Sequence, residues 1–177
     1  MVTPTRTGYS GGSPQGEKNM KSIAFAAALL MTFPAAAAEY TNIVMEKDLA
    51  VSAETAWNKI GPYCTLAEWL KLSCEIISGD KAFGDLGTVR LVAGRVNEVI
   101  VAKTALSYTY AMEGAKDLYH GTIEVVPKGA GASKIVYTLF YDNSAMATAE
   151  AKATDRANRT KRFSAGLDVM KTMAETK

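Results

Sequence analysis

"SAETAWNKIGPYCTLAEW", residues 52–69, is the stretch on which the fold turns. Ser52 is a natural helix N-cap, and Ala53, Ala56, Trp57 and Ile60 follow at the spacing of one helical face. Gly61-Pro62 stops that helix, because proline disfavours helical backbone before it and has no N–H to donate. "TLAEWLKL", residues 65–72, then reads as a second short helix. Upstream, Thr41 to Val51 reads as a strand. Downstream, runs rich in β-branched and aromatic residues are divided by turn signals and read as further strands. They are Glu75 to Ser78, Gly87 to Val92, Val96 to Lys103, Ala105 to Met112, His120 to Val126 and Lys134 to Tyr141, with "VPKGAGAS" as a plain hairpin loop. From about Ala147 the strand signals cease. Met146, Ala149, Ala153, Thr160, Phe163, Leu167, Met170 and Ala174 fall near one face of a long C-terminal helix, with Lys161, Arg162 and Lys171 outward.

This α+β order of a strand, two short helices, a run of antiparallel strands and one long helix is specific. Together with the opening segment, "GTVR" at 87–90, "VNE" at 96–98, "LSYTY" at 106–110 and "LYHGTIEVVP" at 118–127, it resembles the START/Bet v 1-like (SRPBCC) superfamily. Within that superfamily it is most similar to exported bacterial polyketide cyclase/dehydrase-like proteins. The resemblance extends over nearly all of residues 41–175. It implies a helix-grip fold: a curved antiparallel sheet wrapped around the C-terminal helix, with a cavity for an apolar ligand between them.

Residues 20–40, "MKSIAFAAALLMTFPAAAAEY", follow the plan of a secretory signal peptide, with an A-x-A site ending at Ala38. The apolar run is too short to cross a bilayer core, which needs about 20 residues, so no stable membrane insertion is expected. Residues 1–19 are rich in Gly, Ser, Thr and Pro and cannot bury a core. They read as a disordered extension, with translation expected to begin at Met20. The expected organisation is thus extension 1–19, signal peptide 20–38 and one START/Bet v 1-like domain over 39–177, periplasmic or secreted. The whole chain has 20 Lys+Arg and 18 Asp+Glu, and removing 1–38 leaves 17 of each. No basic stripe remains to suit nucleic acid or an anionic membrane.

Cys64 and Cys74 are the only cysteines. They are not a C-x-x-C pair, and with His120 the single histidine, a zinc site is poorly supplied. No metal or cofactor is expected. In an oxidising compartment paired cysteines usually form a disulfide; the alternative is two reduced, buried thiols. The exported subgroup that the chain resembles has a similarly spaced pair, which implies the disulfide.

Leu106, Tyr108, Tyr110 and Met112 share one strand face. Such a face can line a pocket with apolar bodies and polar tips, or it can be ordinary core. Gly166, mid-helix between Phe163 and Leu167, leaves room either for a ligand or for a close strand crossing. With a three-residue turn at Ala93-Gly94-Arg95, Arg90 lies opposite Glu98, as a ligand-orienting pair or as a structural ion pair. By resemblance to plant abscisic-acid receptors, which share the fold, Glu98, Tyr108, Tyr110, Tyr119 and Phe163 match ligand-lining positions. The receptors' gate-loop pattern is missing, and Glu68 stands where they place a lysine. The candidate ligand-binding residues are therefore Arg90, Glu98, Tyr108, Tyr110, Tyr119, Phe163 and Leu167. His120 follows Tyr119 in a strand and is expected to face solvent, so no catalytic residue is assigned. The expected function is an exported protein binding a hydrophobic or amphipathic small molecule. A polyketide cyclase/dehydrase-like enzyme acting on an aromatic or polyketide substrate is the alternative.

Overall fold

The computed structural model describes residues 38–176. The expected extension (1–19) and nearly all of the expected signal peptide (20–38) lie outside them. The chain runs β1 (Tyr40–Leu49), α1 (Ala53–Ile60), α2 (Leu66–Trp69), β2 (Cys74–Ser78), β3 (Val89–Val92), β4 (Val96–Thr104), β5 (Ser107–Met112), β6 (His120–Pro127), β7 (Ser133–Asp142) and α3 (Ala149–Glu175). The strands form one antiparallel sheet in the order β1-β7-β6-β5-β4-β3-β2. After β1 the two short helices carry the chain to the far edge, and β2 to β7 meander back until β7 closes on β1. With the long C-terminal helix against the sheet, this is the helix-grip fold.

α1 starts where its cap requires: the Ser52 hydroxyl accepts from Thr55 N at 3.2 Å, and Ala53, Ala56, Trp57 and Ile60 are buried. Gly61 keeps a helical φ of −71°, so left-handed freedom is not its purpose. A Cβ there would lie 2.7 Å from the Trp57 indole, which folds over the helix end. The core lies between the sheet and the helices, with Ile60, Ile100, Ile123, Ile135, Leu139 and Met170 at most 1% exposed.

α3 departs from the expected pattern. Ala149 and Ala153 are exposed, and full burial on the helix begins at Phe163 and continues through Leu167, Met170 and Ala174. The first half is tied down by polar contacts instead. Lys152 pairs with Glu39, Arg156 Nη1 donates to Asn42 O at 3.1 Å, and Tyr141 Oη donates to Asp155 at 2.6 Å. Gly166 resolves as close packing, though against a helix rather than a strand. A Cβ at Gly166 would meet Trp69 Cε3 of α2 at 2.8 Å.

Cys64 and Cys74 are joined in a disulfide with Cα atoms 5.5 Å apart. The bond spans α2, so this one-turn helix is held covalently between the end of α1 and the start of β2. Among the described residues, no helix is long and apolar enough to cross a membrane.

Candidate functional site

The hairpin of β3 and β4 sets the polar centre. Val92 pairs with Val96, leaving Ala93-Gly94-Arg95 as the turn, and Ala93 and Gly94 take φ of 51° and 65° to make it tight. Arg90 therefore faces Glu98 directly, and both point into the core at 0% and 5% exposure. Arg90 Nε donates to Glu98 Oε2 at 2.8 Å, Nη2 lies 2.6 Å from the same oxygen, and Nη1 donates to the Tyr63 carbonyl. The guanidinium carbon sits 4.1 Å from the Tyr63 ring centre, 4.9 Å from Tyr110 and 5.9 Å from Tyr108. An aromatic cage with a carboxylate inside favours the charged form of the guanidinium. Burial alone would lower its pKa, but Tyr108, Glu98 and the other tyrosines outweigh that and hold it above the ordinary range.

Tyr110 lies beside this pair because β6 offers no side chain opposite it. Its cross-strand partner is Gly121, where a Cβ would fall 2.3 Å from the Tyr110 ring. The ring folds over that gap, and its hydroxyl meets the Tyr137 hydroxyl at 2.5 Å. Tyr108 is closed in by Trp57 and Tyr63, with ring centres at 5.8 and 5.1 Å. Burial pushes the phenols of Tyr108, Tyr110 and Tyr137 above their ordinary pKa.

Beside this sealed centre lies a cleft of about 430 Å³. Leu66, Leu70 and Leu72 line it from α2 and the segment after it, and Val92, Val96 and Glu98 from the β3–β4 hairpin. Met112 and Tyr119 close the floor, and Asp155, Asn158, Arg159, Arg162 and Phe163 form the opposite wall from α3. The rim residues Arg95, Asn158 and Arg162 are exposed, so the cleft opens to solvent there. Its volume and mostly apolar walls are those of a site for one drug-sized molecule.

Of the seven candidate ligand residues, Glu98, Tyr119 and Phe163 line this cleft. Arg90, Tyr108, Tyr110 and Leu167 lie in the packed core and not among its lining residues. Burial pushes the Tyr119 phenol up to about 12. Arg159 stacks on the Tyr119 and Tyr141 rings at 5.4 and 4.2 Å while its Nε donates to both oxygens of Asp155. The leucines of α2 and the segment after it, and Asp155 and Arg159 of α3, were missed; Arg162 is outward, as expected, and stands on the cleft rim. The Asp155–Arg159–Arg162 spacing was the available signal. Glu68 is exposed and does not line the cleft. His120 is half-buried, its ring 6.4 Å from exposed Phe140.

The family model described as "Polyketide cyclase / dehydrase and lipid transport" matches residues 40–175. The chain belongs to this family. The match spans every element that builds the cleft, from β1 to the end of α3, and the fold is that of the START/Bet v 1-like superfamily. Norcoclaurine synthase from Thalictrum flavum is similar in fold, with a TM-score of 0.57 and 22% identity over 80% of this chain and 98% of that one. A START superfamily protein from Mycobacterium smegmatis has a TM-score of 0.57 and 12% identity, covering 76% and 97%. XoxI from Bacillus cereus has a TM-score of 0.59 and 19% identity, covering 75% and 94%. At these identities the likeness is one of fold. A search of curated proteins found no match.

Proposed function

We propose that this polyketide cyclase/dehydrase and lipid transport family member binds a hydrophobic or amphipathic small molecule in the cleft between α2, the β3–β4 hairpin and α3. The observation that carries the reading is the cleft itself, about 430 Å³ with leucine, valine, methionine and phenylalanine walls beside the buried core. Glu98, Tyr119 and Phe163 contact the ligand, while Arg90, Tyr108, Tyr110 and Leu167 support them from behind. Binding is favoured over a cyclase or dehydrase reaction by the groups that face the cleft. Glu98 is engaged by Arg90, and the Tyr119 phenol at about 12 is far from the range of an efficient general base at neutral pH. We further propose that residues 20–38 are a signal peptide, that 39–177 is the mature domain and that the protein works in the periplasm or outside the cell. The disulfide between Cys64 and Cys74 supports that compartment.

Fluorescence titration with N-phenyl-1-naphthylamine, an uncharged apolar dye, tests the binding reading. Saturable binding at a one-to-one ratio, abolished by Leu70→Trp in the cleft wall, is expected. A dye that does not bind the folded protein, or that binds Leu70→Trp equally well, would reject the cleft as the site. N-terminal sequencing of the protein from its host should begin at Glu39, and a mature chain retaining residues 20–38 would refute export by cleavage.

A further inference from the structure

The cleft lining carries five charged side chains, and their pairing is unequal. Glu98 is taken by Arg90 from behind the wall. Asp155 is taken by Arg159 and by the Tyr141 hydroxyl. Both carboxylates of the lining are thereby engaged. The remaining two are cations: Arg95 on the β3–β4 turn and Arg162 on α3. Among the described residues neither makes an ion pair or a side-chain hydrogen bond. They stand on the two opposing walls, at the rim where apolar lining gives way to solvent.

A solitary surface arginine is ordinary. Two arginines without a counter-ion in the lining of one apolar cleft, one of them 5.8 Å from the Phe163 ring centre, are a different arrangement. A concave site with low-dielectric walls focuses their field on its mouth. A guanidinium also offers a planar fork of donors that matches carboxylate, sulfonate and phosphate oxygens. An uncharged ligand would use the leucines and leave both forks to water.

We infer that the cleft selects an amphipathic organic anion, its apolar body between Leu70, Val96 and Phe163 and its acidic head between Arg95 and Arg162. The inference rests on the binding reading above and adds the ligand's charge to it. The source of the head is a free molecule with one chain or ring system, because a cleft of this volume takes a single drug-sized body.

The test pairs two dyes that share a body and differ in the head. 1-Anilinonaphthalene-8-sulfonate carries a sulfonate, and N-phenyl-1-naphthylamine lacks it. The sulfonate should bind about 10-fold more tightly, the size of a hydrogen bond to a charged group. That ratio should fall towards one in Arg95→Gln/Arg162→Gln and shrink with added salt. Arg95→Lys/Arg162→Lys, which keeps the charge, should retain part of it. Lys128→Gln removes an exposed cation outside the cleft and should leave the ratio intact. Equal affinity for the two dyes overturns the anion assignment while leaving the binding reading standing, and failure of both dyes removes the binding reading itself. A ratio that falls as much in Lys128→Gln would reduce the effect to net charge and overturn the assignment to the two arginines. Competition separates the sources of the head. Decanoate in solution should displace the sulfonate dye at lower concentration than decanol; displacement only by phosphatidylglycerol vesicles would overturn the free-molecule reading.

Discussion

Replacing Arg90 by methionine removes a guanidinium that is 0% exposed and leaves its carboxylate partner, whose side chain is 7% exposed, without a counter-ion. The Tyr63 carbonyl loses its donor at the same time. Breaking one side of a buried ion pair costs about 3–5 kcal/mol. Methionine recovers part of the packing, since thioethers sit well against the rings of Tyr63, Tyr108 and Tyr110. The expected loss is therefore near the low end, about 3 kcal/mol. With a urea m-value of about 2 kcal/mol/M, the unfolding midpoint should fall by about 1.5 M. The informative variant is the double one. Arg90→Met/Glu98→Met removes both charges, and replacing a whole buried pair by apolar side chains is often neutral. It should be more stable than Arg90→Met alone, with a coupling of about 2 kcal/mol in the cycle. Urea denaturation followed by tryptophan fluorescence reads all four corners. A single-variant loss below about 1 kcal/mol, or a double variant as unstable as the sum of the two singles, would refute the reading of Arg90 and Glu98 as a structural pair.

Reduction of the Cys64–Cys74 bond should lower stability by about 2–3 kcal/mol without abolishing folding, and intact-mass analysis with and without reductant should show no free thiol beforehand. Because the bond spans α2, reduction should also weaken dye binding in the cleft. Gly166→Leu should destabilise by about 1–3 kcal/mol through the Trp69 clash, seen as a lower melting temperature, while Gly166 replaced together with Trp69→Leu should recover much of it. Stability should hold up to about pH 10 and fall between pH 10 and 12, because unfolding frees Tyr119 from a raised pKa of about 12 and lets it ionise. An alkaline titration flat to pH 12 would contradict that burial.

The sequence made the elements legible because each had a local signal. The Ser52 cap and Trp57 spacing mark α1, and the Ala93-Gly94-Arg95 turn with period-two alternation sets Arg90 against Glu98. Strand faces were readable as well: Tyr108 and Tyr110 do point inward. Depth was not. Whether an inward tyrosine lines a cavity or is sealed depends on what lies across from it, and Gly121 in the next strand decides that for Tyr110. The cleft walls were least legible, since Leu70 and Arg162 come to one cleft only because helices α2 and α3 cross. That crossing is closed by the absent side chain of Gly166 under Trp69, a contact between segments almost a hundred positions apart.

The two halves of α3 are attached by different forces. From Phe163 onward the helix is anchored by apolar burial, with Lys47 to Asp168 and Lys171 to Asp48 at its outer face, whereas its first half is fastened by polar contacts, Lys152 to Glu39, Arg156 to Asn42 and Tyr141 to Asp155, of which added salt screens the exposed ones. The cleft wall at Asp155, Asn158 and Arg159 lies in that first half, where Asp155 accepts from Tyr141 and Arg159 stacks on two rings, and the facing wall of α2 is fixed by a covalent bond. Ionic strength is thus a tuning screw for one jaw of the cleft alone: in brine the upper helix loosens while its root and the opposite jaw stay put, and amide exchange along α3 divides near Phe163.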